Sequence, residues 1–264
     1  MKKKRYYYLV QFQYLGYRYH GWMKQPNAKT VQEMVDKTFN YIFGGEVKFT
    51  TLAASRTDAL VSANHAAFEL FVWQEQNPET LKEALNINLP SDIRVLSVEE
   101  VDDKFNVIQD SKQKEYIYLF SYGEKIHPFC APYMSNFPEE LDIELMKKGA
   151  KRYEGLNNFQ RFCVKPAKDA VFEREIDFCE IVDNDLYTAS FFPEKSYLFR
   201  IKGKGFLRHQ VRVMMGALCS LGRGSLTWEE FDTALKSGGD GPISFMAQAS
   251  GLQLHALQYN EENS

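Results

Sequence analysis

The chain contains no Cys-x-x-Cys pair and no two histidines at metal-ligand spacing, which removes the common zinc frameworks from consideration. Its four cysteines, Cys130, Cys163, Cys179 and Cys219, are scattered and read as reduced, buried thiols of a cytoplasmic protein. An excess of one charge is also missing. Lys plus Arg amounts to 32 against 35 for Asp plus Glu, a formal net charge of −3. Without a global basic field, any nucleic-acid site has to be a local patch. Long apolar runs are absent too: Val213 to Cys219 is far shorter than the ~20 residues that cross a bilayer. The start, MKKKRYYYLVQFQY, is basic and then alternating, without a small-residue cleavage site, and reads as a strand rather than a signal peptide. Gly-x-Gly-x-x-Gly, P-loop, Gly-x-Ser-x-Gly and kinase patterns do not occur, so no nucleotide cofactor is indicated.

What is present is the composition of a folded chain, 44% hydrophobic and 25% charged, and 264 residues leave room for two domains. Twenty Phe and 15 Tyr point to sheet as much as helix. A strand is expected from Tyr6 to Tyr14. A helix then starts at Thr30, with Glu33 in capping-box position, and stops at Gly44-Gly45. Ala66 to Trp73 reads as a strand, after the threonine-rich segment Phe49 to Ala54. Asn77-Pro78 opens a second helix, and Ile93 to Val101 closes a first α/β half. The second half is expected to hold a strand Glu115 to Tyr122, a helix Glu139 to Tyr153, strands within Val171 to Lys202, and a helix from about Leu207 to Leu221. Thr227 and Glu230 form a further capping box. The expected domains are 1–104 and 105–264.

Three clusters could carry chemistry. Ser55-Arg56-Thr57-Asp58 sits in a loop between elements, before the strand Ala66 to Trp73, where a cation two residues away can keep a carboxylate ionised for use as nucleophile or base. A plain turn, with Arg56 facing water, is the alternative. Arg208 and Arg212 lie four apart on one helix face, behind Lys202, Gly203, Lys204 and Gly205. That is a local basic site suited to phosphate or to a carboxylate partner, or else a solvated face. Tyr116 and Tyr118 point to one side of a strand, either to stack on a base or to fill a core, with Lys112 and Lys114 just upstream. The loop of Gly21, Trp22, Lys24 and Gln25 either touches a ligand or is a turn anchored by its Trp. His65 and His209 read as structural.

Taken in order, these pieces resemble the TruA family of tRNA pseudouridine synthases. The matching stretches are Gly21-Trp22 with Gln25-Pro26-Asn27, Thr30 to Glu33, Arg56-Thr57-Asp58-Ala59, Tyr116-Ile117-Tyr118 and Gly155 to Phe162. Gly205 to Arg212 with Gly216, Gly222-Arg223-Gly224 and Ala249 to Leu252 complete the set. The resemblance implies an α+β fold of two α/β domains with RRM-like, ferredoxin-like cores whose sheets join across a central cleft. It implies isomerisation of a uridine in the anticodon arm of tRNA by a cytoplasmic homodimer, without metal or cofactor. By resemblance Asp58 is the catalytic aspartate, Arg56 opens the helix around the extruded nucleotide, Tyr116 packs against the target base and Arg212 pairs with the aspartate. The RNA path is expected along Trp22, Lys24, Gln25, Lys112, Lys114, Lys202, Lys204 and Arg208.

The pattern departs from the family at several positions. Ser55 stands for a glycine before Arg56, while Leu60 and Ser62 replace a glycine and a histidine, with a shortened loop expected after Ser62. Asn106 to Asp110 holds no arginine, Glu115 replaces a basic residue, and Gln248 stands where a proline turn is common. A silent RNA-binding paralogue, or a synthase with a different RNA target, is the other reading these changes leave open.

Overall fold

The computed structural model describes residues 4–166 and 169–259. In chain order the elements are β1 (Tyr6–Tyr14), α1 (Val31–Ile42), β2 (Phe49–Ala53), β3 (Ser62–Val72), α2 (Pro78–Asn88), β4 (Ile93–Val101), β5 (Gln113–Tyr122) and β6 (Ser135–Phe137). There follow α3 (Ile143–Arg152), β7 (Gly155–Asn158), β8 (Glu173–Asp183), β9 (Tyr197–Gly203), α4 (Gln210–Gly222), α5 (Trp228–Ser237) and β10 (Leu252–Gln258). Strands and helices mix along the chain in the manner of the α+β class. The chain divides into two compact units, Met1–Lys112 with Leu254–Ser264, and Gln113–Gln253. Residues 105–112 and the strand end from Leu254 onward therefore count with the first unit, whereas the sequence reading grouped everything from residue 105 together.

In the first unit β1 lies between β4 and β3, antiparallel to both, and β3 also carries β2 and β10. Alternate residues of β1 and β3 supply the core: Tyr8, Phe12, Phe68 and Leu70 are buried, and Phe39 of α1 meets Phe68 edge-on at 6.1 Å. Each such ring removed from water stabilises the unit by ~2–3 kcal/mol. Thr30 caps α1 by accepting from the Glu33 N–H, and Asn77 caps α2 from Thr80, both as expected.

In the second unit the sheet runs β5-β9-β8-β7, antiparallel throughout, with β6 parallel to β5. Its two faces are covered differently. Ile117, Leu119 and Leu198 pack under Cys130, Met134, Phe191 and Phe192, which come from loops. The opposite face, with Tyr118, Phe120 and Phe199, lies under the helices, and every residue of α4 is buried. Glycine at 149 lets α3 close on Leu218 and Leu221 of α4. All four cysteines are free and buried.

Two helix starts differ from expectation. α3 begins at Ile143 rather than Glu139, because Asp142 is the better cap and accepts from the Leu145 N–H at 2.9 Å. α4 begins at Gln210 because His209 takes φ 61°, a left-handed conformation that no helix can include. β3 starts at Ser62, four residues ahead of the expected Ala66.

Candidate active site

β2 ends at Ala53 and β3 starts at Ser62, and the turn between them carries Arg56, Thr57 and Asp58. Asp58 is half-buried and Arg56 is exposed. The Val61 N–H donates to the Asp58 carbonyl at 3.2 Å, which tightens the turn, and Leu60 inside it has φ 68°. A leucine in the left-handed region costs roughly 1–2 kcal/mol, so the surroundings must hold it there.

They do so through the last residue of β1 and the segment that follows it. Tyr14 and Thr57 share a hydroxyl–hydroxyl hydrogen bond of 2.7 Å, and the Gly16 N–H donates to Ser62 Oγ at 2.9 Å. The Leu60 N–H donates to the Tyr19 carbonyl at 3.0 Å, and the Trp22 N–H to the Thr57 carbonyl at 3.4 Å. Gly21, at φ 82°, passes so close that a Cβ there would lie 2.4 Å from the Thr57 carbonyl oxygen. The carbonyls of Gly21 and Trp22 in turn accept from Val31 and Gln32, two N–H groups that α1 cannot satisfy internally. A helix start and the Asp58 turn are thus welded to one short loop.

That loop has its own anchor. Asp92 accepts from the Tyr19 hydroxyl at 2.7 Å and from Arg18 through both carboxylate oxygens, while its carbonyl accepts from the Leu15 N–H at 3.0 Å. Burial pushes the Tyr19 phenol up to about 12, reinforced by its bond to Asp92. For Asp92 burial acts upward, but the bonds from Arg18 and Tyr19 outweigh it and hold the carboxyl below the ordinary aspartate range.

The second unit places Tyr116 on the helix-covered face of its sheet, buried, with Phe206 edge-on at 5.3 Å. Tyr118 is fully enclosed, and its hydroxyl bonds Ser135 Oγ at 2.9 Å and the Gln248 carbonyl at 2.7 Å. It is a core residue, the second of the two roles open to this pair. Arg212 is 9% exposed. Its Nε donates to the Ala247 carbonyl at 2.8 Å, and the Ala247 N–H donates back to the Arg212 carbonyl at 3.1 Å. The strap from Ser244 to Gln248 therefore fixes the guanidinium plane. It can do so because residue 216 is glycine: a Cβ there would lie 1.9 Å from the Phe245 carbonyl oxygen. His209, left-handed and three residues before Arg212, mirrors Leu60 near Asp58.

The expected RNA contacts separate into groups. Trp22 is only 3% exposed and packs on Phe12 and Phe68, so its side chain is the anchor of its turn rather than a surface for RNA. Lys24 pairs with Asp36, and Gln25 donates to the His20 carbonyl at 2.9 Å from an exposed position. Lys112, Lys204 and Arg208 are exposed. Lys114 shares the Tyr116 side of β5, where burial lowers its ammonium below the ordinary lysine range. Lys202 pairs in register with Glu115 and so faces the opposite side from Tyr116; it binds Glu115 at 3.3 Å, beside Arg200 at 3.1 Å. The basic segment before α4 is thus split between two faces, which the alternation of strand residues fixes once the register is known. Asp92, Tyr19, Tyr14 and Ala247 were not singled out in the sequence. Pro90-Ser91-Asp92 looks like any polar turn, and Ala247 acts only through its backbone.

A family model described as tRNA pseudouridine synthase matches residues 11–109 and 150–260. The chain belongs to the tRNA pseudouridine synthase family. Relatives agree with this: it is 30% identical over 253 residues to tRNA pseudouridine synthase A 2 of Bacillus cereus, covering 96% of this chain and 99% of that one. It is 29% identical to tRNA pseudouridine synthase A of Thermodesulfovibrio yellowstonii over 95% of this chain and 98% of that one. The corresponding protein of Streptococcus mutans is also 29% identical, with 94% and 96% covered. For a tRNA pseudouridine synthase the state of Leu60 is informative. The side chain departs from the glycine that the family resemblance leads one to expect, yet the backbone keeps a glycine-like φ. Among the described residues no helix is long and apolar enough to cross a membrane.

Proposed function

We propose that this chain isomerises uridine to pseudouridine in the anticodon arm of tRNA, with Asp58 as the reacting carboxylate. The observation that carries the reading is the Asp58 turn, where a strained backbone is held by four hydrogen bonds, one from the end of β1 and three from the loop that follows it. Strain that is maintained at such a position is the mark of a preorganised reacting group. In the reaction the C1′–N1 bond breaks, the uracil turns, C1′ joins C5, the C5 hydrogen leaves as a proton and N1 gains one. No oxidant or reductant is consumed.

A stacked uridine cannot present C1′ and C5 to a carboxylate, so the nucleotide has to leave its helix at a cost of a few kcal/mol. Arg56, exposed on the turn, takes the role of filling or propping the opened helix. Tyr116, with its ring steadied by Phe206, packs against the base and recovers part of that cost. Arg212 is the counter-cation that keeps the aspartate ionised, and its planar, prefixed guanidinium suits bidentate pairing. Lys24, Gln25, Lys112, Lys114, Lys204 and Arg208 serve phosphates of an A-form stem, recognised by shape rather than by sequence. The working form is a homodimer in the cytoplasm.

The test is tritium release from unmodified tRNA transcripts carrying C5-tritiated uridine, because forming the C1′–C5 bond expels the C5 hydrogen. Wild type should release tritium, whereas Asp58→Asn should release none while binding the RNA as before. Salt-sensitive binding without release from any tRNA would overturn the reading in favour of a silent paralogue.

A further inference from the structure

The Asp58 turn has no ladder of its own, so its position is set by what grips it. Of its four grips, the one nearest the strained residue is the Tyr19 carbonyl, which takes the Leu60 N–H at 3.0 Å. Tyr19 is 1% exposed, and its hydroxyl donates to the Asp92 carboxylate. Asp92 also holds Arg18 through both carboxylate oxygens and Leu15 through its backbone carbonyl. One residue thus pins both ends of the segment 15–19, and that segment places the Gly16 N–H on Ser62 Oγ and the Tyr19 carbonyl on Leu60.

We propose that Asp92 is a positioning residue for the Asp58 turn, acting through Tyr19 and Arg18 rather than touching RNA. The proposal rests on the reading of Asp58 as the reacting carboxylate. The side chain at 92 has to accept three donors at once, from Tyr19 Oη, Arg18 Nε and Arg18 Nη2. A carboxylate does this with two oxygens and a matching fork geometry. An asparagine keeps one acceptor oxygen for Tyr19 but turns an NH2 group toward the guanidinium. An alanine keeps neither contact. The lever from carboxylate to Leu60 passes through a phenol ring enclosed in the core, so displacement at one end is transmitted rather than absorbed.

The experiment compares wild type, Asp92→Ala, Asp92→Asn and Tyr19→Phe by tritium release in single and multiple turnover, alongside amide hydrogen exchange. Asp92→Ala is expected to lower the single-turnover rate by about tenfold or more, since small misplacements of reacting groups have effects of that order. Its KM should stay within about twofold, because RNA contacts are untouched. Exchange should accelerate in peptides covering residues 57–62 and stay unchanged in α2 and α4. Tyr19→Phe should move the same readouts in the same direction, Asp92→Asn should lie between wild type and Asp92→Ala, and the Asp92→Ala Tyr19→Phe double variant should be no worse than Asp92→Ala. A wild-type rate with wild-type exchange in Asp92→Ala would overturn the proposal. So would faster exchange spread evenly over the first unit, or a raised KM at unchanged kcat. Failure of the Asp58 reading shows separately, as full tritium release by Asp58→Asn while the local exchange response to Asp92→Ala persists.

Discussion

The Asp58 turn and the Arg212 helix are both held still, but by opposite means. Asp58 lies on irregular backbone that neighbouring residues grip through polar bonds, two of them involving a side-chain hydroxyl. Arg212 lies on a helix buried on all sides and is gripped by the backbone of a strap that closes over a glycine. The first arrangement is adjustable, because side-chain bonds and a strained φ can be altered one at a time at modest cost. The second is stiff, since its parts are main chain and close packing.

The comparison can be broken most severely on the stiff side. Gly216→Val would drive a side chain into the Phe245 carbonyl, 1.9 Å from the Cβ position, and the strap would have to lift. The expected cost is about 3 kcal/mol or more, read as a lower urea midpoint, with activity lost as the Arg212–Ala247 bonds open. On the adjustable side, Leu60→Gly removes the left-handed strain, and the greater freedom of glycine in the unfolded chain offsets part of the gain. A net stabilisation below ~1 kcal/mol is expected, with a small rise in Tm and faster exchange within the turn. The smallest effect is acid sensitivity at Asp92. Its carboxyl in the folded chain titrates below the ordinary 3.8, so its contribution is present above that value and disappears as pH falls through the lower one. Arg18 is half exposed, which screens the pair. Wild type should therefore lose slightly more stability than Asp92→Asn between roughly pH 5 and pH 3, measured by urea unfolding.

Local signals carried most of the fold. Thr30, Asn77 and Thr227 are helix caps in the structure as in the sequence, since a cap depends on residues three positions apart. β1 and β4 have the expected ends, as runs rich in Tyr, Phe, Val and Ile residues. The start of α4 was not legible. Gly203 and Gly205 precede it, yet the left-handed residue is His209. At the site, Asp58 and Arg212 stood out because charge in a loop and charge on an apolar helix are visible in one dimension. Asp92 did not, because its importance lies in three partners that are distant in sequence. Lys202 was grouped with Lys204 by proximity, and only strand register shows that it serves Glu115.

β10 has a consequence for how the protein is made. The first unit consists of residues up to Lys112 and a strand end from Leu254 onward, so the whole second unit is translated before the first can be finished. β3, which opens directly after the Asp58 turn, waits on the ribosome with the place of β10 unfilled. An open strand edge invites pairing with other chains, and nascent first units on a crowded polysome are the nearest candidates. Completion of the first unit is therefore a late event in synthesis, and a chain stalled between the two segments carries the Asp58 turn on a sheet still open along β3.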